Sequence, residues 1–322
     1  MSSHRSQKEV RFGIGEWYGR SLPLLTGAER KALEKQRTDR GKPVCPFRGA
    51  DDEPRACSKS GGVCTLRLYQ VDDSSGRTVP VQGPVGMLRT TCPNRFLERG
   101  VIFEWVGQVL LGCPNPILLR EVPYLKPVET EGESMFGGDA GVRGRAVYAD
   151  DAIAGSGVGS VDYVLVHPDS PTSWCALEMQ AVYFSGDTMA KEFHAIASAP
   201  GDDLPFPAGR RRPDYRSSGP KRLMPQLQIK VPSLRRWGRK TAVVVDQWFW
   251  GSLGRMRRVK DISNCDIVWF VVGYDEADGV PRLTRYGVVP TTLEDAIEGL
   301  TAGEPVSLAA FEGFIRAKIG SG

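Results

Sequence analysis

The 322-residue sequence has no long apolar run. Its longest strongly apolar stretch, Ile267 to Val272, falls far short of the roughly 20 residues that a membrane-crossing helix needs. The amino end, MSSHRSQKEVRFGIGEW, lacks the apolar core of a signal peptide, so a cytoplasmic protein is expected. Histidine is scarce. His4, His167 and His194 form no motif, and His194 reads as a surface or packing residue of a helix. The seven cysteines are odd in number and include no CxxC, which argues against both a disulfide scaffold and generic zinc-finger spacing. GSGVGS, Gly155 to Ser160, lacks the Gly-Lys-Ser/Thr ending of a phosphate loop and the spacing of a dinucleotide fingerprint, so it reads as a connector. No repeat and no low-complexity segment is present.

With 41% hydrophobic and 25% charged residues, the chain is of ordinary globular composition and long enough to bury a large core. Its charge is unevenly spread. Residues 205 to 260 hold 15 of the 42 Lys and Arg but only 2 of the 38 Asp and Glu, Asp214 and Asp246. A basic segment inside an otherwise acidic chain points to a polyanion partner. The best phosphate contacts are Arg210, Arg211 and Arg212, then Lys221 and Arg222, then Arg235, Arg236, Arg239 and Lys240, because Arg and Lys neutralise phosphate and Arg also pairs bidentately with guanine edges.

Periodicity predicts a mixed α/β protein around one central sheet. A helix is expected over Gly27 to Arg37, capped by Thr26, and an amphipathic helix over Asn94 to Gly112. The strands expected are ILLREVPYL, VDYVLVH, WCALEMQAVYF, TAVVVDQWFW and CDIVWFVVGYD, with helices at GDTMAKEFHAIAS, at TTLEDAIEGL (capped by Thr291 with Glu294) and at SLAAFEGFIRAKIG. Lys126 to Ser160, rich in Gly and acidic residues, reads as a long loop. Residues 1–92 are expected to form an amino-terminal region and 93–322 the main domain.

SWCALEMQAVYFSG, Ser173 to Gly186, reads as a buried strand with Glu178 and Gln180 in its middle. If VDYVLVHPDSPTSWCALEMQAVYF is a hairpin turning near Ser170 and Pro171, residue numbers summing to about 341 face each other. Asp162 then lies level with Met179, give or take one. Side chains alternate along a strand, so Glu178 and Gln180 share a side, and a small change of register sets Asp162 beside one of them. Two carboxylates gathered in a partly buried place repel each other and lose hydration. A divalent cation removes that cost, and Mg²⁺ commonly takes one or two carboxylates plus substrate phosphate. The plain alternative is an Asp162 in water and a Glu178 paired with an arginine.

Asp162 followed by Glu178-Met179-Gln180 on the next strand resembles the core of the PD-(D/E)XK nucleases, with Gln in place of the usual Lys. The literal Pro168-Asp169 sits in the turn, too far from Glu178 to share an ion. More of the chain is similar to the NotI-type restriction endonucleases: GEWYGR, CPF, CSKSGGVC, TCPNRF, REVPYL, VDYVLV, LEMQAVYFSGD and QLQIKVPSLRRWGRKTAVVVD. The resemblance implies a type II restriction endonuclease that hydrolyses double-stranded DNA at a GC-rich palindrome. Mg²⁺ would be held by Asp162 and Glu178, Gln180 would orient the attacking water, and Glu121 would serve as an additional acid with Glu104 in reserve. It also implies a homodimer, pairing with a DNA methyltransferase, and a structural iron bound by Cys45, Cys57, Cys64 and Cys92. On their own, those four cysteines fit either buried thiols or a metal site, with zinc the other candidate ion. Cys113, Cys175 and Cys265 read as core. Two rival functions share the basic segment and the cysteines: a thiolate-metal DNA-binding regulator without catalysis, and a repair nuclease of the same core.

Overall fold

The computed structural model describes residues 9–38, 43–48, 55–59, 61–125, 159–301, 303 and 306–320. His4 and most of the loop expected over Lys126 to Ser160 lie outside them. The chain begins with an antiparallel sheet. Strand β1 (Val10–Trp17) pairs with β2 (Arg20–Ser21), helix α1 (Gly27–Thr38) follows, and β3 (Val63–Val71), β4 (Thr78–Pro80) and β5 (Arg89–Thr90) complete the sheet. Helix α2 (Val101–Leu111) leads into an antiparallel meander of β6 (Ile117–Leu125), β7 (Gly159–His167) and β8 (Ser170–Met179). A ribbon of β9 (Phe184–Gly186) and β10 (Arg211–Pro213) brackets helix α3 (Met189–Ser198). Then come α4 (Tyr215–Ser218), α5 (Met224–Arg236), β11 (Thr241–Asp246), α6 (Gln247–Ser252), β12 (Ile267–Asp275), β13 (Arg282–Thr291), α7 (Leu293–Thr301) and α8 (Leu308–Gly320).

The central sheet has six strands in the order β13-β12-β11-β8-β7-β6. Its three middle strands, β8, β11 and β12, run parallel, and the outer strands are antiparallel to their neighbours. The middle strands are covered on both faces, which explains why Val243-Val244-Val245 and Ile267 to Val272 read as unbroken apolar runs rather than alternating ones. On one face α2 sets Ile102, Trp105 and Val106 against Leu165, Leu177, Val244 and Phe270. On the other, Leu227 and Val231 of α5 and Ala296 and Leu300 of α7 pack on Val243, Val245 and Trp269. Each large aliphatic side chain so buried contributes roughly 1.5–3 kcal/mol before conformational entropy is counted.

Several elements depart from the sequence reading, each for a local reason. The helix expected from Asn94 is a 3-10 stretch over Pro93–Gly100 and then α2, because Arg99 (φ 49°) and Gly100 (φ 70°) are left-handed and break the helical path. TAVVVDQWFW is a strand only as far as Asp246. There the carboxylate accepts the Phe249 N–H (2.7 Å) and starts α6 as its cap. The cap of α7 is Thr292 with Asp295, one residue later than expected: Asp295 N–H donates to Thr292 Oγ1 at 3.1 Å, and that hydroxyl to Asp295 at 2.8 Å. QLQIKVPSLRR is a helix, α5, and β13 is a strand missing from the expected order.

The two sheets are joined through buried polar contacts. Asp246 also accepts the Thr90 N–H of β5 (2.7 Å), and Val182 N–H donates to the Thr90 carbonyl (2.7 Å). Arg95, fully buried, holds Glu16 of β1 and Glu98 at 2.8 Å each and donates to the Pro281 carbonyl before β13. Breaking a buried ion pair strands the remaining charge. Arg95→Met is therefore expected to lower unfolding free energy by about 3–5 kcal/mol, measured by urea denaturation. A loss under about 1 kcal/mol would mean that Arg95 does not join the two sheets.

Candidate active site

The hairpin of β7 and β8 turns at Pro168 and Asp169, two residues before the expected centre. Tyr163 pairs with Leu177 and Val164 with Ala176. One step along that register sets Asp162 level with Glu178, closer than the sequence reading required. Trp174, Ala176 and Glu178 alternate onto the face covered by α5, while Cys175, Leu177 and Met179 take the α2 face. Leu234 of α5 packs near Ala176 and Val164, and one helical turn earlier Lys230 stands over the carboxylates.

Lys230 Nζ is 2.6 Å from Glu178 Oε1 and 3.8 Å from Asp162 Oδ1. The pair is asymmetric. The Glu178 side chain is 2% exposed and that of Asp162 49%, so one carboxylate is dry and the other meets solvent. Glu178 Oε2 is buried without a hydrogen-bond partner. Burial, and next the Asp162 charge, push the Glu178 carboxyl up to about 7, against the pull of Lys230. A carboxylate pair with an unpartnered buried oxygen is a costly arrangement that a hard cation would relieve.

Gln180 lies just past the end of β8. Its backbone N–H donates to the Val244 carbonyl (2.9 Å), and its side-chain Nε2 donates to the Ala181 carbonyl (2.6 Å). Glu121 falls on the same rung of the sheet, since Arg120 pairs with Tyr163 and Val122 with Val161. It is exposed, with a left-handed φ of 51°, two strands from Glu178 or about 10 Å at the usual strand spacing. Glu104 is engaged elsewhere, 3.0 Å from Arg285.

The basic segment divides in two. Arg210, Arg212, Lys221 and Arg222 are exposed: Arg212 lies on β10, Arg210 just before it and 3.7 Å from Glu9, and the Arg222 guanidinium is 4.5 Å from the centre of the half-exposed Tyr183 ring. Arg211 is turned inward instead, at 2.9 Å from Glu192 and donating to the Thr188 carbonyl. Arg235, Arg236, Arg239 and Lys240 sit at the far end of α5. There Arg235 reaches Asp266 and Glu294 at 3.3 Å, Arg239 lies over Trp174, and Lys240 donates to the Ser263 carbonyl. Arg236 is exposed and donates to Ser233. A cavity of about 810 Å³ opens past β11 and β12, lined by Arg89, Tyr215, Gln247, Trp248 and Tyr274 among others, but not by Asp162 or Glu178.

All seven cysteines are free and buried. Cys45, Cys57, Cys64 and Cys92 are near enough to influence one another's ionisation. Cys45 is held down at about 6, first by the neighbouring Cys57 side chain and then by the N–H groups of Phe47 and Arg48, while Cys57 Sγ lies 3.6 Å from the Lys59 carbonyl that accepts from it. Among the described residues, no group of three or more Cys, His, Asp or Glu is disposed to hold a metal ion. No helix among them is long and apolar enough to cross a membrane.

The molecule thus sets two carboxylates on one rung of a mixed central sheet, with exposed Arg and Lys elsewhere on its surface. A family model described as Restriction endonuclease NotI matches residues 29–145 and 145–284, and the chain belongs to that family. No curated protein matches the chain. The protein is therefore a type II restriction endonuclease, a site-specific deoxyribonuclease, and the non-catalytic regulator is set aside.

Sequence reading missed Lys230. The signal was present: Leu227, Val231 and Leu234 mark the buried stripe of α5, and Lys230 falls on it. The raised Glu178 carboxyl has a consequence for stability. The folded protein holds a proton there that the unfolded chain releases, so this contribution is complete in acid and is lost as pH rises to about 7. In EDTA, the wild type is expected to lose up to about 3 kcal/mol relative to Glu178→Gln between pH 5 and 7.5, read from urea midpoints. Parallel curves would show that Glu178 is ionised throughout.

Proposed function

We propose that this endonuclease cuts double-stranded DNA at a short GC-rich palindrome, with Mg²⁺ held by Asp162 and Glu178 on a PD-(D/E)XK core. The observation that carries the reading is the register of β7 and β8, which brings a dry and a wet carboxylate to one spot, with Glu178 Oε2 unpartnered. Oxygen-only donors and an orphaned buried carboxylate oxygen suit a hard divalent ion. When bound, that ion supplies Lewis acidity at the phosphate and eases ionisation of the attacking water.

The chain's own groups complete the site. Gln180 is neutral and cannot serve as a base. With Nε2 directed to the Ala181 carbonyl, its Oε1 is the acceptor that can orient a water. Arg210, Arg212, Lys221 and Arg222 contact DNA phosphates beside the carboxylates, and Arg235, Arg236, Arg239 and Lys240 supply a more distant contribution. Arg211, committed to Glu192, supports the ribbon that carries its neighbours. Glu121 is the additional acid. A palindrome cut on both strands by one site per chain calls for a two-fold homodimer, and survival of the host calls for a partner methyltransferase.

For residues 1–92 we propose a region stapled by iron, or zinc, on Cys45, Cys57, Cys64 and Cys92, with residues 93–322 as the nuclease domain. Four reduced, buried thiols are donors of the kind a thiophilic ion takes, and binding it would draw them together from the spacing they have here. Only Cys45 is held down; the Cys45 contact and burial push the Cys57 thiol up and burial pushes Cys64 and Cys92 up, a cost that a bound cation would offset. Elemental analysis of purified protein is expected to give about one iron or zinc per chain, and none in a Cys45→Ser, Cys92→Ser variant. Equal metal content in the two would end this reading.

The catalytic reading is tested by incubating plasmid with protein and Mg²⁺, against EDTA, and mapping the ends. Discrete fragments with one repeated end sequence are expected. Asp162→Ala and Glu178→Ala should each lose at least about 100-fold in cutting rate while still shifting DNA in Ca²⁺. Undiminished cutting by Glu178→Ala would remove that residue from the mechanism.

A further inference from the structure

Lys230 is, among the described residues, the one buried lysine. Burying an ammonium is costly, and the neighbouring α5 positions that face the sheet, Leu227, Val231 and Leu234, are all apolar. A stripe that served packing alone would place a fourth apolar residue there. Instead a cation reaches the rung where β7 and β8 set their two carboxylates. Strand β8 itself offers no cation: two residues past Glu178 stands Gln180, neutral, with its amide nitrogen directed to a backbone carbonyl.

We propose that Lys230 is a catalytic residue of the cleavage reaction, supplied by α5 rather than by the strand that carries Glu178. This rests on the reading of Asp162 and Glu178 as the cation-holding pair. The ammonium has three donors. One is directed at Glu178 Oε1, 2.6 Å away, and a second faces Asp162 Oδ1 at 3.8 Å. The third is available to a non-bridging oxygen of the phosphate that approaches beside Asp162, where the pair is open to solvent. Packing of Leu227, Val231 and Leu234 fixes α5 on the sheet and so fixes how far the lysine reaches.

In the step it serves, a water oxygen forms a bond to phosphorus and the bond from phosphorus to one sugar oxygen breaks. The water proton passes to solvent, and the departing oxygen takes a proton from solvent. One water is consumed for each strand cut. Negative charge on the non-bridging oxygens rises towards the transition state. A positioned ammonium there stabilises that state more than the bound substrate, so its loss lowers kcat rather than affinity.

The test compares wild type, Lys230→Met, Lys230→Arg and Glu178→Ala on plasmid DNA in Mg²⁺, with DNA affinity in Ca²⁺ and thermal unfolding measured in parallel. Lys230→Met is expected to lose about 100-fold or more in single-turnover rate, with Ca²⁺-dependent DNA affinity within about threefold of wild type. Lys230→Arg is expected to recover at least about tenfold of that loss, because it keeps the charge. Lys230→Gln replaces the methionine variant in the same assays where the latter does not fold. Cutting within about fivefold of wild type by Lys230→Met overturns the proposal, as does a loss matched by the loss of folded protein. Wild-type cutting by Glu178→Ala would overturn the carboxylate reading itself. A dead Glu178→Ala beside an active Lys230→Met would overturn only the role of Lys230.

Discussion

The structure turns on two like charges held on one rung of a sheet. Nothing in the hairpin alone would favour Asp162 beside Glu178, and a one-residue slip would separate them onto opposite faces. The register is fixed from elsewhere. Leu165, Cys175 and Leu177 are committed to the α2 face, and Val164 and Ala176 to the α5 face, so the apolar pattern of both strands admits one pairing. The core thus provides the force that holds the carboxylates together. Lys230, carried on the helix that covers the same core, offsets part of their repulsion.

This arrangement explains why α5 is central to the molecule. Its buried stripe joins the two halves of the sheet, with Leu234 over the β7–β8 side and Leu227 and Val231 over β11 and β12. It begins close to Arg222 and Tyr183 and ends at Arg235 and Arg236 on the far side. One helix therefore carries the cation at the carboxylates and separates the basic residues that flank the site from those tied to Asp266, Glu294 and backbone carbonyls. The amino-terminal sheet is fastened to the same edge through Thr90, Asp246 and Val182, so both sheets meet beside the site.

Much of this is legible in the sequence. Strand alternation placed Asp162 near Glu178 because burial on two faces leaves a hairpin little freedom. The apolar runs of β11 and β12 announced covered strands. Other features were hidden for physical reasons. The helix of QLQIKVPSLRR was obscured by its Pro232 and its charge, and Lys230 read as one more cation in a basic stretch. The inward turn of Arg211 depends on Glu192, 19 residues away, which no local pattern reveals. The change from strand to helix at Asp246 depends on a carboxylate that serves both as cap and as acceptor for β5, a tertiary contact. The cap of α7 shifted by one residue because Thr292 with Asp295 closes the same box that Thr291 with Glu294 suggests.

The central claim is that Asp162 and Glu178 share one divalent cation. It is tested most directly by a crystal structure with DNA and Mn²⁺, read at the manganese edge. The account predicts an anomalous peak within about 2.5 Å of a carboxylate oxygen of each residue, with Lys230 Nζ moved towards a phosphate oxygen. A peak that touches neither residue, or a Lys230 still bonded to Glu178 with no ion between the carboxylates, would contradict it.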